Sequence, residues 1–384
     1  MGEAVAGRGD LAGAQAVSTG TNALTDAQQA ERDALAERLF KSTMGALELF
    51  HIYLGERLGL YRALATSGPL TVAEMASTAG INERYAREWL EQQAVAGILF
   101  VESGRAGAEG RRYGLPPGHA EVLDDPNSAL FLAPAARAIV AIGSVMPLVM
   151  EAFRTGGGVP YEAYGADMRE SIAHLNRPAF LNLLGNYWFP AIADVDRRLR
   201  AQPPARVADV GCGTGWSSIA IATSYPLVKV DGFDLDAASI EEARRNGEVR
   251  GVADRVAFEV RDAADPRLAG AYDLVTAFET IHDMSNPVGA LRAMRALAKE
   301  GGAVVVMDEK AAEEFTAPGD ELERFLYGWS AVHCLPVGMV ESPSAATGTV
   351  MRPSRLREYA REAGFADVEI LPVENDSWRF YRLV

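Results

Sequence analysis

The sequence contains few cysteines and few histidines, the residues from which disulfide frameworks and zinc sites are built. Only two cysteines and five histidines occur among 384 residues, and the cysteines lie far apart. This spacing supports no disulfide framework and matches no zinc-binding pattern. We therefore expect a reducing, cytoplasmic compartment and no bound metal.

Positive charge is scarce as well. The 37 lysines and arginines are outnumbered by 52 aspartates and glutamates, which gives a net charge of −15. Such a chain repels nucleic-acid backbones and anionic membranes. The longest apolar stretch, residues 129–150, contains Pro134, Arg137 and Pro147, so it predicts buried helices rather than a membrane span. The N-terminus lacks the basic-then-apolar pattern of a signal peptide.

The chain is organised around Arg206 to Asp236, which reads RVADVGCGTGWSSIAIATSYPLVKVDGFDLD. A short apolar run ends in Gly211, Gly213 and Gly215, a helix-length apolar stretch follows, and a second apolar run ends in Asp234. The order of strand, glycine-rich turn, helix, strand and acid predicts a nucleotide-binding βαβ unit. The glycines let the backbone turn sharply and approach a ligand. The acid at the strand tip is placed to accept hydrogen bonds from ribose hydroxyls.

The glycine spacing bears on which nucleotide binds. It is GxGxG, whereas the dinucleotide fingerprint places a third glycine where this chain has Trp216. An acid, Asp209, stands two residues before Gly211. This D-V-G-x-G-x-G pattern resembles the first motif of class I S-adenosylmethionine-dependent methyltransferases. Their ligand has no phosphate, and its cationic amino-acid end suits a nearby carboxylate. A nicotinamide-dependent dehydrogenase is an alternative that Trp216 opposes.

Later segments extend the resemblance. Residues 255–260, 272–278 and 302–307 read as strands that alternate with helices, as an α/β fold requires. Two more strand-like runs, 365–372 and 378–383, close the chain. The resemblance implies an α/β, Rossmann-like methyltransferase sheet of seven strands, with an antiparallel last strand.

The resemblance also implies which residues bind the cofactor, S-adenosylmethionine. The glycine loop with Asp209 would hold its methionine end, Asp234 its ribose, and Asp262 with Ala263 its adenine. The acid at position 262 also opposes the dehydrogenase alternative. The full predicted set consists of strand-tip residues: Asp209, Gly211, Gly213, Gly215, Asp234, Leu235, Asp262, Ala263 and Phe278.

A candidate catalytic residue follows the strand at 272–278. Residues 280–285, TIHDMS, resemble the H-D-W-S segment of winged-helix O-methyltransferases, whose histidine deprotonates the acceptor. His282 matches that histidine, and Asp308 stands nearest the acid that orients it. Met284 and Asn286 depart from the family pattern. His282 is therefore either a general base or a residue that positions an acceptor needing no deprotonation.

The N-terminal half resembles a winged helix. Residues 68–103 read as a short helix, a turn, a longer helix and a strand, with Thr71 and Asn82 as helix caps. The helix from Asn82 to Gly97 would enter a DNA groove in a DNA-binding protein. Its charge is net negative, which makes phosphate contacts hard to supply. We therefore favour a dimerisation domain that caps the substrate, as in small-molecule methyltransferases.

Two helical, aromatic segments are candidates for an acceptor pocket. One precedes the nucleotide-binding half and the other is an insertion at 310–353, and for each residue core packing is an alternative. The candidate substrate-binding residues are His174, Tyr187, Trp188, Trp329 and His333. The expected domains are a disordered leader (1–24), a winged-helix dimerisation domain (25–120), a helical linker and lid (121–200), and the cofactor domain (201–384).

Together these patterns predict methyl transfer from S-adenosylmethionine to a small aromatic or heterocyclic acceptor of natural-product type. The acceptor atom is open: a hydroxyl, a nitrogen or an indole carbon. We expect a homodimer formed through the N-terminal domain, and neither membrane nor nucleic acid as a partner. The alternative from another class is a winged-helix DNA-binding regulator that senses S-adenosylmethionine.

Overall fold

The structure, a computed structural model, describes residues 24–102, 107, 110–262, 270 and 272–384. The chain forms two compact units, residues 1–48 and 49–384. In the first unit, the described residues from 26 onward belong to helix α1, Asp26–Arg57. The predicted leader, apart from Leu24, and the adenine contact predicted for Ala263 lie outside the described residues.

The second unit begins with short helices and a two-stranded wing. Its elements are α2 (Leu60–Ser67), α3 (Val72–Ala79), α4 (Glu83–Val95), β1 (Phe100–Val101), β2 (Tyr113–Gly114) and α5 (Pro117–Leu123). The strand predicted from Ile98 is shorter than expected, because the N–H groups of Ile98 and Leu99 both donate to Gln93 O at the end of α4. Strands β1 and β2 pair antiparallel.

The helix caps in this region are as predicted. Thr71 forms a capping box with Glu74: the Thr71 N–H donates to Glu74 Oε2 at 2.8 Å, and the Thr71 hydroxyl accepts from Glu74 N. The Asn82 side chain accepts from the backbone of α4. Each cap satisfies an N–H group that has no partner within its helix.

A helical region follows, as predicted, with α6 (Pro134–Thr155), α7 (Gly165–Ala179), a π-helical continuation (Phe180–Trp188) and α8 (Ala193–Arg200). Among the described residues, α6 is the helix that length and composition would allow to cross a membrane, and 33% of its most apolar window is buried. Arg137 of α6 is 8% exposed and pairs with both Glu56 and Glu170.

The predicted seven-stranded sheet is confirmed. Its order is β5-β4-β3-β6-β7-β9-β8, and β9 runs antiparallel to β7 and β8. The strands are β3 (Arg206–Val210), β4 (Lys229–Asp234), β5 (Val256–Val260), β6 (Tyr272–Phe278), β7 (Ala298–Glu309), β8 (Val368–Ile370) and β9 (Trp378–Leu383).

Helices cover both faces of this sheet. Helices α9 (Trp216–Ser224) and α10 (Ala237–Val249) pack on one face, and α11 (Pro287–Leu297) and α14 (Pro353–Ala363) on the other. The predicted insertion contains α12 (Glu321–Trp329), a π-helical segment (Ser330–Cys334) and α13 (Leu335–Gly338). Because β3, β4, β5, β6 and β7 run parallel, their carboxyl ends meet at one edge.

The glycine loop lies at this edge. Gly211, Gly213 and Gly215 have φ of 70°, 52° and 83°, a region that favours glycine. A Cβ on Gly211 would lie 2.3 Å from Thr280 Oγ1, and one on Gly215 would lie 2.6 Å from the Phe258 ring. A Cβ on Gly213 would meet nothing within 4 Å. The loop is thus packed at both ends and open at its centre.

Two alanine substitutions separate backbone strain from packing in this loop. We expect Gly211→Ala to lower the free energy of unfolding by about 2–5 kcal/mol, from left-handed strain and a steric clash together. Gly213→Ala carries the strain alone and should cost about 1–2 kcal/mol. Urea unfolding of both variants checks this, and equal losses would contradict the role assigned to the Thr280 contact.

Candidate active site

The carboxylate of Asp209 is buried within the fold, with 1% of the residue exposed. Its Oδ2 accepts from the hydroxyls of Ser217 and Ser218, both at 2.6 Å, and its Oδ1 accepts from the Thr276 hydroxyl at 2.9 Å. Burial raises the pKa of Asp209, and the hydroxyl bonds oppose that shift. The Asp209 side chain therefore forms its hydrogen bonds within the protein. It can contribute to binding the methionine end of a cofactor only by positioning the glycine loop.

Asp234 joins the tip of β4 to the centre of the glycine loop. Its Oδ2 accepts from Gly213 N at 2.8 Å and its Oδ1 from Asp236 N at 2.9 Å. Asp236 in turn pairs with Arg169 of α7 at 2.7 Å. A carboxylate has about four lone-pair sites, so Asp234 retains two acceptors for a ligand. This is the arrangement that ribose hydroxyls need.

The other predicted cofactor residues differ in exposure. Leu235 is 66% exposed and Asp262, which follows β5, is also exposed. Since β5 neighbours β4, Asp262 lies at the same sheet edge as Asp234. The Phe278 ring is 6% exposed and packs against Phe180 with ring centroids 5.5 Å apart. Its side chain is therefore a core group.

The structure brings His282 and Asp308 together. His282 lies in a short 3₁₀ turn after β6, and Asp308 near the end of the neighbouring β7. Nδ1 of His282 is 2.6 Å from Oδ1 of Asp308, and the two residues are 3% and 1% exposed. A carboxylate in this position fixes the ring orientation and stabilises an imidazolium.

A second carboxylate faces the other ring nitrogen. Nε2 of His282 is 3.1 Å from Oδ1 of Asp283. Burial opposes the charge on His282, but the negative charges of Asp308 and Asp283 outweigh it and raise the pKa of His282 well above its usual value. Burial likewise opposes ionisation of Asp283, and the charge of His282 lowers the pKa of that carboxyl. Each ring nitrogen of His282 thus lies close to a carboxylate oxygen, and both carboxylates favour the protonated ring.

One cluster of potential metal ligands bears on the prediction that no metal is bound. In the described part of the chain, His282, Asp283 and Cys334 place potential ligand atoms within 4.8 Å of one another. Burial raises the pKa of the Cys334 thiol to about 12, so its sulfur is a neutral thiol. A metal bound at this cluster would have to displace the thiol proton.

Sequence reasoning missed a pair of glutamates beside this site. Glu279 directly follows β6 with φ of 52°, and its carboxylate accepts from Asn176 and from the indole N–H of Trp378. Burial raises the pKa of both Glu279 and Glu309, and their mutual repulsion raises that of Glu309 further. At neutral pH the pair therefore holds a proton. The available signal was an acid at the end of each of two strands: Glu279 directly follows β6, and Glu309 is the last residue of β7.

The aromatic candidates separate into an aromatic wall around His333 and a core. His333 is 2% exposed and stands edge-on to Tyr164, Tyr161 and Trp329, with centroids 4.8–6.0 Å apart. Burial lowers its pKa, and its Nε2 has no hydrogen-bond partner among the described residues. A neutral imidazole in an aromatic wall can bind a polar group on a flat ligand.

The prediction for Trp188 is wrong. Trp188 is 2% exposed and packs against Phe180, Trp378 and Phe380. Its aromatic character suited an acceptor pocket, and the structure shows the core-packing alternative. Tyr187 next to it is 67% exposed. Burial lowers the pKa of His174 on α7, and its Nδ1 has no partner in the described part of the chain.

The winged helix presents little positive charge to a nucleic acid. On α4, Arg84 pairs with Glu88 at 2.5 Å, and Arg111 from the wing lies 3.6 Å from Glu91. Acids on the same surface thus neutralise these cations. Phosphate contacts need unpaired basic side chains, so this surface does not favour the DNA-binding alternative.

Comparison with known proteins finds a matching family model in each half of the chain. Residues 202–346 match the family model described as a methyltransferase domain, and residues 45–124 match an Rv2258c-like winged HTH domain. The chain is 30% identical over 171 residues to a ubiquinone biosynthesis O-methyltransferase from Burkholderia pseudomallei, which covers 44% of this chain and 67% of that protein.

The chain is also similar to part of a much longer protein and to nearly the whole of a solved structure. The chain is 26% identical over 193 residues to the lovastatin diketide synthase lovF of Aspergillus terreus, covering 47% of this chain but only 7% of that protein. Human N-acetylserotonin methyltransferase, solved with S-adenosylmethionine (SAM), shares the fold: TM-score 0.67 at 18% identity, covering 91% of this chain and 97% of that one. The matched domains, the sheet order and the glycine loop together show that the chain belongs to the S-adenosylmethionine-dependent methyltransferases.

Proposed function

We propose that the protein transfers a methyl group from S-adenosylmethionine to a small aromatic or heterocyclic acceptor. The observation that carries this proposal is the His282–Asp308 pair, which follows strands whose tips adjoin the glycine loop. When bound, the cofactor supplies a methyl group already activated on a sulfonium. The protein then has to align the acceptor and, for a hydroxyl, remove its proton.

The residues at the sheet edge fit this cofactor. Gly213 leaves open space at the centre of the loop, and Asp234 offers carboxylate lone pairs beside it. Asp262, at the tip of the next strand, is placed for the adenine, and Leu235 is exposed beside Asp234. In this arrangement Asp209 positions the loop through its hydroxyl partners.

The acceptor site is formed by the aromatic wall and the two carboxylate groups around His282. His333 and Trp329 lie on the insertion, and His174 lies on α7. This supports the division into a cofactor domain from 201, a lid at 121–200 with a cap insertion at 310–353, and a winged-helix domain at 25–120. A flat acceptor of natural-product type suits aromatic walls.

The atom that receives the methyl group depends on His282. If the His282 ring is neutral, an acceptor hydroxyl that takes the place of Asp283 beside Nε2 gives its proton to that nitrogen. Asp308 would stabilise the resulting positive charge. An acceptor nitrogen or indole carbon needs no such base, and His282 would then only orient it.

The pH dependence of the rate distinguishes these two roles. If His282 is a base, kcat/KM for a hydroxyl acceptor rises as the imidazolium deprotonates. Because the neighbouring carboxylates raise its pKa, the inflection lies above pH ~6.5. Asp308→Asn removes one of these charges and should shift the inflection to lower pH. His282→Gln should lower kcat about 10²–10⁴-fold. His119→Gln, in the winged-helix domain, is the control. An unshifted inflection in Asp308→Asn would refute the base role.

We also propose that the chain is a cytoplasmic homodimer assembled through its helical N-terminal half. Both cysteines are free thiols, as a reducing compartment requires. In the second unit, α6 exposes a series of large apolar side chains: Ile139, Met146, Leu148, Met150 and Phe153. In the first unit, α1 exposes Leu35, Leu39 and Met44. Apolar surface of this extent on a soluble chain is typical of a subunit interface, and a second copy supplies the matching apolar surface.

Light scattering coupled to size exclusion tests the dimer. The wild type should elute at twice the mass of the chain. Leu148→Glu/Phe153→Glu places two charges on α6 and should shift the mass to that of a monomer. Leu227→Glu, an equally apolar exposed site in the cofactor domain, should leave the dimer intact. A wild-type monomer, or dissociation by the control variant alone, would contradict the proposal.

A further inference from the structure

Helix α7 carries three polar residues that reach the cofactor edge of the sheet. Arg169 pairs with Asp236 beyond the tip of β4, and Asn176 donates to Glu279 beyond the tip of β6. The third is Arg177, whose guanidinium carbon lies 4.6 Å from the centroid of the Trp216 ring. Arg169 and Asn176 thus have acidic partners within the protein, and Arg177 requires a different account.

Arg177 has no carboxylate partner among the described residues. One terminal nitrogen donates to Asn127 Oδ1, a neutral acceptor, at 3.0 Å. Its Nε is buried without a hydrogen-bond partner in the part of the chain described. Burial is the main cause that lowers its pKa, repulsion from Arg250 adds to this, and attraction to Asp125 only partly offsets it. A half-buried guanidinium with an unsatisfied donor is costly unless an anion binds it.

The position of Arg177 matches one end of the cofactor. Trp216, on which it stacks, is the first residue of α9 and directly follows the glycine loop at Gly215. The first turn of α9 is already bonded to the buried Asp209 carboxylate through Ser217 and Ser218, so a ligand anion at this end of the loop needs a separate cation. The other ionisable side chains of the loop region are Asp209, Asp234 and Cys212, and burial raises the pKa of the Cys212 thiol. The cofactor's methionine end carries both an ammonium and a carboxylate, and the carboxylate needs a cation.

We propose that Arg177 binds the carboxylate of the methionine moiety of S-adenosylmethionine. The inference rests on the cofactor of the proposed function. The guanidinium donates to the carboxylate from the α7 side, next to the Trp216 ring that follows the glycine loop. The contact makes α7 part of the cofactor site, so the enzyme selects ligands that retain the amino-acid moiety over adenosine thioethers that lack it.

Two ligands that differ in the amino-acid moiety test this. S-adenosylhomocysteine has the carboxylate, whereas 5′-methylthioadenosine keeps the adenosine and the sulfur without it. Calorimetric titration of wild type and Arg177→Gln should show about 10–100-fold weaker binding of S-adenosylhomocysteine in the variant, the effect of one charge-assisted hydrogen bond. Binding of methylthioadenosine should change less than about threefold. Arg177→Lys, which keeps the charge, should retain more affinity for S-adenosylhomocysteine than the Gln variant.

Arg250→Gln is the matched control, because it removes an equal charge from an exposed neighbour of Arg177. It should leave both affinities within about threefold. Equal weakening of both ligands by both Arg177 variants, with native melting temperatures, would overturn the proposal in favour of a structural role. An unchanged affinity of Arg177→Gln for S-adenosylhomocysteine would overturn it as well. A failure of the cofactor assignment is distinguishable, because wild type would then bind neither ligand.

Discussion

The site depends on one buried carboxylate. Asp209 ends a central strand, and its two oxygens accept from hydroxyls on α9 and on β6. An unpaired carboxylate at this depth would be strongly unfavourable, so these bonds fix the first turn of α9 against the sheet. The glycine loop lies between Asp209 and that turn, and its backbone N–H at Gly213 reaches Asp234. These hydrogen bonds join protein groups only, so they hold the cofactor edge of the sheet in place without a bound ligand.

The charges at this edge explain why helix α7, which lies outside the sheet, belongs to the site. Acids end or follow β4, β6 and β7, and acids alone would repel one another in a partly dry cleft. The cations come from different elements: Arg169 and Arg177 from α7, and His282 from the turn after β6. Glu279 and Glu309 reduce their repulsion by retaining a proton. Helix α7 is thus electrostatically coupled to the cofactor edge of the sheet.

Sequence patterns predicted the helices and strands better than they predicted which side chains contact each other. The glycine spacing, the apolar runs and the caps at Thr71 and Asn82 depend on local chemistry, so the βαβ unit and the capped helices could be foreseen. The seven-stranded sheet with its antiparallel last strand followed from the family resemblance. An aromatic residue such as Trp188 suits either a ligand pocket or the core, and the local sequence does not decide between them. Asp283 could not be placed opposite Nε2 of His282, because that contact depends on the conformation of a short turn.

The central claim is that the glycine loop and Asp234 form an S-adenosylmethionine site. Its most direct test is calorimetric titration of the wild type and Asp234→Ala with S-adenosylhomocysteine and with NAD. Glu248→Ala, an exposed acid on α10, is the control for loss of charge. We expect S-adenosylhomocysteine to bind the wild type and the control alike, and at least about tenfold more weakly to Asp234→Ala, because charge-assisted bonds to the ribose are lost. NAD should bind none of them. Binding of NAD but not S-adenosylhomocysteine by the wild type would contradict the account.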